Sequence, residues 1–244
     1  MTNLMFELRR SPRTLLERDG HPGPGPGKLA VSLGRAGVGK TAFIVGVGID
    51  ALLSGQKVLH VALGRTVEKV RDWYSDLLME MLAREKKLEH WSAIQLDVER
   101  RRHIHTYVGG GFSAERLRQA LDLLATAMDF VPDVIIFDRL DTGDAEHIDP
   151  ALVSELKAIG AAAGAELWMA LRTHRDDPEP EPGRLPRPAD SIADQIDLAF
   201  SLAPLEDRVR LRVVKDKNEI LEKDLNILLN PKTLLLRTGF KRTS

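Results

Sequence analysis

A glycine-rich stretch near the start of the chain has the residue types and spacing of a phosphate-binding loop. It runs from Gly34 to Thr41, reads GRAGVGKT and follows the apolar run Leu29 to Leu33. A strand that ends in glycines and turns into a helix points several backbone N–H groups into one concavity, where the helix dipole also favours negative charge. Lys40 can reach the β- and γ-phosphates of a nucleotide, and the Thr41 hydroxyl can bind Mg²⁺. The predicted nucleotide-binding residues are Gly34, Arg35, Ala36, Gly37, Val38, Gly39, Lys40 and Thr41.

A second stretch places a carboxylate where the first one needs a metal ligand. The apolar residues Val134 to Phe137 are followed at once by Asp138. Four such residues predict a buried strand with the aspartate at its C-terminal end. An aspartate in that position can hold Mg²⁺, directly or through water, together with Thr41. The two stretches are about 97 residues apart, with room for one or two strands between them, and this arrangement predicts Thr41 and Asp138 as the metal site.

The composition is that of a folded globular protein built around one core. The chain has 244 residues, of which 43% are hydrophobic and 29% are charged, so we expect one large α/β domain. The formal net charge of −1 gives no overall attraction to nucleic acid. The absence of cysteine and of long apolar runs predicts a cytoplasmic protein without a membrane segment. Residues 1–27 are expected to form an N-terminal arm and a Pro/Gly linker, and residues 28–244 the nucleotide-binding domain.

The apolar pattern predicts the elements that hold these residues. Helices and strands alternate from Leu29 to Leu171, with Thr66 and Ser113 as helix N-caps, which is typical of a mostly parallel sheet with helices around it. The segment 175–190 is rich in proline and charge and predicts a mobile loop that cannot pack. After Ile196 the pattern predicts strands that end in antiparallel pairing. There the alternating arginines 208, 210 and 212 are expected on the wet face of an edge strand, with residues 215–218 as an exposed loop.

The order of these parts resembles the RecA superfamily, and within it the ATPase domains of replicative hexameric helicases and KaiC-like proteins. The resemblance spans about residues 25 to 237, and the two specific matches are the Walker A loop and the Walker B strand ending in Asp138. It implies a RecA-like fold that binds ATP and Mg²⁺. It also implies that Arg172, Thr173 and His174 sense the γ-phosphate, and that Lys215 and Lys217 contact the nucleotide of a neighbouring subunit in trans.

One departure from the family bears on catalysis. Members usually carry a glutamate at the tip of the second strand to activate water, whereas this chain has Gly64, and Glu68 falls on the predicted surface of the next helix. Loss of a general base typically costs about 10²- to 10⁴-fold in rate. We therefore expect a nucleotide-gated, oligomeric regulator with weak or no hydrolysis, acting with copies of itself or a protein partner.

Other functions stay open on the sequence alone. The main alternative is a DNA-stimulated ATPase, a helicase-like motor or recombination mediator, in which the 175–190 loop and residues 100–102 contact nucleic acid. A small-molecule kinase would use the same loop, but no lid with clustered arginines is evident. A scaffold that retains the fold without the chemistry is the fourth possibility.

Overall fold

A sheet of nine described strands forms the centre of the molecule. The computed structural model describes residue 13 and residues 23–109, 111–140, 148–173, 181, 183–206, 208–217, 219–230 and 236–238. The strands are β1 (Leu29–Gly34), β2 (Val58–Leu63), β3 (Arg102–Tyr107), β4 (Val134–Asp138), β5 (Glu166–Arg172), β6 (Leu198–Pro204), β7 (Val209–Asp216), β8 (Glu219–Leu229) and β9 (Leu236–Thr238). The α-helices are α1 (Lys40–Leu53), α2 (Val67–Arg84), α3 (Trp91–Arg101), α4 (Ala114–Met128) and α5 (Pro150–Ala163), and two 3₁₀ helices span Leu88–His90 and Ala189–Gln195.

The strands lie in the order β3-β2-β4-β5-β1-β6-β7-β8-β9. The six from β3 to β6 pair in parallel, and β6, β7, β8 and β9 pair in antiparallel fashion. Each parallel pair needs a crossover, and the helices supply it by packing on both faces of the sheet. The predicted mostly parallel sheet with antiparallel C-terminal strands is confirmed.

Two apolar layers cover the sheet, one on each face. Because neighbouring strand residues point to opposite faces, Ala30 packs with α1, α2 and α3, whereas Leu29 and Val31 pack with α4 and α5. Helix α1 is buried on nearly every side, as its apolar sequence predicts. Its Phe43 lies 5.2 Å from the Phe200 ring, which stacks on Trp168 at 6.0 Å. This aromatic cluster fixes α1, and with it the start of the phosphate loop, against the middle of the sheet.

Both predicted helix N-caps are confirmed, and the structure shows a third at Asp149. Thr66 and Ser113 accept hydrogen bonds from the backbone N–H groups three residues later, and Asp149 accepts one from Ala151 at the start of α5. None of the described helices is long and apolar enough to cross a membrane.

The C-terminal half of the 175–190 segment differs from the prediction. Leu185 and Ala189 are buried in the layer that covers α5, and a 3₁₀ helix begins at Ala189. These two apolar residues pack despite the prolines around them, so the prediction of a loop that cannot pack is wrong for this half of the segment. Residues 174–180 and 182 lie outside the described residues.

Two further predictions, both about strand β7, are wrong. Strand β7 pairs with both β6 and β8, so its arginines at 210 and 212 do not lie on an edge strand. Lys215 belongs to β7 and is 5% exposed, so the expected exposed loop begins later.

The charged stretch before β3 forms helix α3, because Ile94 and Val98 are four residues apart and pack together against the sheet layer. The domain boundary near residue 27 stays a prediction.

Candidate functional site

The phosphate loop connects β1 to α1 through a backbone that needs glycine. Gly39, the N-cap of α1, has φ 96°, a left-handed conformation that L-residues with side chains rarely adopt. A Cβ atom there would come within 2.7 Å of the Leu229 side chain on β8. A Cβ atom at Gly34 would come within 2.8 Å of Val38 and 3.0 Å of the Leu202 carbonyl oxygen. The loop is therefore packed against β6 and β8 from behind, with its N–H groups at the start of α1.

Lys40 lies over this loop. Its Nζ donates hydrogen bonds to the carbonyl oxygens of Gly34 and Arg35, both at 2.7 Å. Both acceptors belong to the loop itself, so the ammonium is held above the cradle instead of extending into solvent. A cation in that place, next to a helix N-terminus, favours a bound phosphate.

Thr41 and Asp138 meet beside the loop, as the sequence predicts. The Thr41 hydroxyl donates a hydrogen bond to Asp138 Oδ1 at 3.2 Å. Asp138 ends β4, is 1% exposed, and lies in register with Ala170 on β5, the strand that separates β4 from β1. A hydroxyl and a carboxylate are the hard oxygen ligands that Mg²⁺ takes together with water and phosphate oxygens. The donor set therefore fits Mg²⁺ bound next to a nucleotide.

A cleft of about 450 Å³ opens over these residues. It is lined by Ala36, Gly37, Gly39, Lys40, Thr41, Ala42, Val45, Arg65, Trp73, Leu77, Asp138, Arg139, Ala170 and Arg172. Four of these described side chains are cationic, and Asp138 is the one carboxylate among them. A concave site with an excess of positive charge attracts a polyanion.

Two of the three residues predicted to sense the γ-phosphate, Arg172 and Thr173, lie next to the phosphate loop. Arg172 ends β5, lies in register with Gly34, and contributes to the lining. Thr173 donates its backbone N–H to the Gly34 carbonyl oxygen at 3.1 Å, which ties the strand tip to the loop. His174 lies outside the described residues. The structure thus brings Arg172 and Thr173 to the loop, and their sensing role stays a prediction.

The two lysines predicted to act in trans have different surroundings. Lys215 donates a hydrogen bond to the Ala193 carbonyl oxygen of its own chain, and loss of hydration lowers the pKa of its ammonium group. Lys217 is exposed at the turn after β7. Of the pair, only the Lys217 side chain is placed to reach a neighbouring molecule without rearrangement.

The tip of β2 carries a glycine in place of a carboxylate. Gly64 follows the strand with φ 69° and donates its N–H to the Tyr107 carbonyl oxygen at 2.9 Å. Space is open around it, since no atom of the described residues beyond its two chain neighbours lies within 4 Å of the place a Cβ would take. Glu68 is exposed on the first turn of α2, which agrees with the predicted surface position, and it does not line the cleft. Among the residues that the structure describes, none supplies a general base at this point of the cleft.

Among the lining residues that sequence reasoning missed, three have cationic or aromatic side chains, namely Arg65, Trp73 and Arg139. Arg65 and Arg139 each follow the last residues of a parallel strand, the position where open α/β sheets bind ligands, and this signal could have identified both. Trp73 belongs to the apolar stripe of α2, and no feature of the sequence separates it from the core residues of that stripe.

A buried polar cluster lies on the α2 side of β2. His60 Nδ1 is 3.1 Å from the Tyr74 hydroxyl, and the Arg102 guanidinium lies 4.5 Å from the centre of the Tyr74 ring. Burial, and to a smaller extent the Arg102 charge, lower the pKa of His60 to about 3. His60 is therefore neutral at physiological pH, and the cluster serves the packing of α2 on the sheet.

Comparison with known proteins gives a likeness in structure. No protein-family model matches the sequence, and no curated protein matches it by sequence. Among solved structures, the ATPase domain of a replicative helicase superposes with a TM-score of 0.68, covering 96% of this chain and 91% of that chain at 12% sequence identity. The likeness extends over nearly the whole of both chains, although only 12% of the aligned residues are identical. Together with the strand order, it shows that this chain has the RecA-like fold.

Proposed function

We propose that the chain binds ATP with Mg²⁺ and acts as a nucleotide-gated, oligomeric regulator that hydrolyses ATP slowly or not at all. The hydrogen bond between Thr41 and Asp138 carries this proposal, because two oxygen side chains of the kind that Mg²⁺ prefers meet there beside the phosphate loop. The likeness to an ATPase domain supports ATP as the nucleotide. A bound Mg²⁺ would screen the phosphate charges and fix their positions.

Different residues of the cleft bind different parts of the Mg²⁺–nucleotide complex. The N–H groups at the start of α1 and the Lys40 ammonium bind phosphate oxygens, while Thr41 and Asp138 hold the metal. Arg172, Thr173 and His174 report the terminal phosphate from the end of β5, and Lys217 reaches the nucleotide of a neighbouring copy. Because Gly64 provides no base to activate water, the bound state persists and occupancy becomes the signal.

Calorimetric titration with ATP and MgCl₂ tests the binding. The parent protein should bind with micromolar affinity, and Lys40→Ala should bind at least about 10-fold more weakly because it loses a charged contact to the phosphates. Lys28→Ala is the matched control, since Lys28 is exposed just before β1, at the end of that strand opposite the loop. Equal affinity of the Lys40→Ala variant and the parent would refute the proposal.

Size-exclusion chromatography with and without ATP tests the gating. A nucleotide-gated assembly should change its oligomeric state when ATP is added, because ligand that binds one state better shifts the equilibrium toward it. A scaffold without nucleotide chemistry would elute identically in both runs.

An active DNA-stimulated ATPase is the second candidate, favoured by the likeness to the ATPase domain of a replicative helicase. The basic triplet before β3 gives it little support. Arg101 forms an ion pair with Asp97, and Arg102 is buried against Tyr74, which leaves Arg100 exposed. Single-stranded DNA that binds at low salt and raises ATP turnover would establish this function in place of the first.

A further inference from the structure

Arg65 lies at the cleft without a role in the function proposed above. It follows Gly64 at the end of β2 and lines the cleft together with Trp73. Its guanidinium carbon is 5.7 Å from the centre of the Trp73 ring. Its Nε is buried and has no hydrogen-bond partner in the part of the chain that the structure describes. A contact with the face of an indole uses none of the five guanidinium N–H donors, so these donors remain available to an anion.

The position of Arg65 indicates which part of a bound nucleotide the residue would contact. Ala62 on β2 is in register with Asp138 on β4, so Arg65 lies beyond Asp138 on the side away from β1 and the phosphate loop. Asp138 in turn is bonded to Thr41 at the start of α1. A phosphate chain that starts on the loop and passes the metal ligands therefore directs its last phosphate toward the tip of β2.

The charges around the tip of β2 also favour a terminal phosphate at this place. Gly64 brings no side chain to the tip, and Asp138, the one acid among the described lining residues, is engaged with Thr41. A planar guanidinium matches two oxygens of a phosphate group at once, which an ammonium cannot do. The strand tip thus presents a cation that binds phosphate, where a carboxylate would repel it.

We propose that Arg65 binds the terminal phosphate of a nucleoside triphosphate from within the same chain and makes the cleft select triphosphate over diphosphate. Trp73 holds the guanidinium in place before binding, and the environment of its indole ring changes when the guanidinium moves. The inference rests on the proposed function and adds to it the residue that distinguishes the two nucleotides.

Two readouts test Arg65, both made with a non-hydrolysable ATP analogue and with ADP. The first is affinity by calorimetry: Arg65→Gln should bind the analogue roughly 10- to 100-fold more weakly than the parent and bind ADP within about 2-fold of it. Arg65→Lys should fall between them, because it keeps the charge and loses the paired donors. Lys69→Gln is the matched control, since its Nζ lies 5.8 Å from the same Trp73 ring but the residue does not line the cleft.

The second readout is tryptophan fluorescence. The analogue, and not ADP, should change the emission of the parent, and the change should vanish in Arg65→Gln and in Trp73→Phe. Equal losses of affinity for the analogue and ADP in Arg65→Gln, or no loss for either, would overturn the proposal. Weaker binding by Lys40→Ala would in that case still support the proposed function. If the parent bound neither nucleotide, the proposed function itself would fail. Circular dichroism of each variant checks that the fold is intact.

Discussion

Replacing Gly64 by glutamate tests whether the missing carboxylate limits hydrolysis. A glutamate at this position would extend from the tip of β2, next to the strand that carries Asp138. Its side chain would enter open space, because no atom in the described part of the chain, apart from Leu63, Gly64 and Arg65 themselves, lies within 4 Å of the added Cβ. Gly64→Glu should therefore place a general base at the cleft without displacing a neighbour.

The expected change in turnover depends on two quantities, the cost of the substitution in stability and the gain in rate from a general base. The positive φ of 69° costs an L-residue with a side chain about 1–2 kcal/mol of stability, and this cost applies equally to glutamate and glutamine. A positioned general base contributes about 10²- to 10⁴-fold in rate. Because the side chain of a new residue is not held by neighbours, we expect the lower part of that range or somewhat less, at least about 10-fold over Gly64→Gln.

Steady-state release of phosphate from ATP and Mg²⁺ measures the effect. Gly64→Gln is the matched control, since it has the same shape and the same backbone cost without the carboxylate. Gly64→Gln should retain the ATP affinity of the parent, whereas the carboxylate of Gly64→Glu repels phosphate and should weaken it, so turnover is compared at saturating ATP. If the glutamate variant turned over no faster than the glutamine variant while both bound ATP, the absent carboxylate would not be what limits turnover.

Three further predictions concern the buried cluster, the aromatic cluster and the metal site. His60 has a pKa of about 3 when folded and about 6.5 when unfolded, so its contribution to stability is present above pH 6.5 and is lost as the pH falls. The parent should lose about 2 kcal/mol more than His60→Gln between pH 7 and pH 5 in urea unfolding, and His90→Gln, at a half-exposed site, should behave as the parent. An equal pH dependence of parent and His60→Gln would contradict the buried neutral imidazole. Phe43→Ala should lower the free energy of unfolding by about 3–5 kcal/mol, with the exposed Met79→Ala as control, and a loss below about 1 kcal/mol would show that the cluster does not fix α1. Asp138→Asn should abolish the gain in ATP affinity that Mg²⁺ gives over EDTA, and an unchanged gain would remove Asp138 from the metal site.

The residues that local rules determine could be predicted, and those that depend on distant partners could not. The loop at Gly34 to Thr41 and the strand ending in Asp138 are specified by spacing and apolar runs, so both could be predicted, as could the proximity of Thr41 and Asp138. That β5 lies between β4 and β1 in the sheet could not. The burial of Leu185 and Lys215 depends on contacts with α5 and with the segment around Ala193, which no local pattern contains. The arginine pattern of β7 is the same for an edge and an internal strand, and only the pairing with β8 decides between them.

The contact between Gly39 and Leu229 has a consequence for when the site can form during synthesis. The loop is made early, but the β8 side chain that packs against it comes 190 residues later (229 − 39). The intervening chain must first be closed into a loop, and such distant contacts form late in folding. A nascent chain that ends before β8 would carry every Walker residue and still lack the packed back wall of the phosphate cradle. Nucleotide can therefore stabilise a chain that already includes β8 far more than shorter fragments, which links competence for binding to the synthesis of β8.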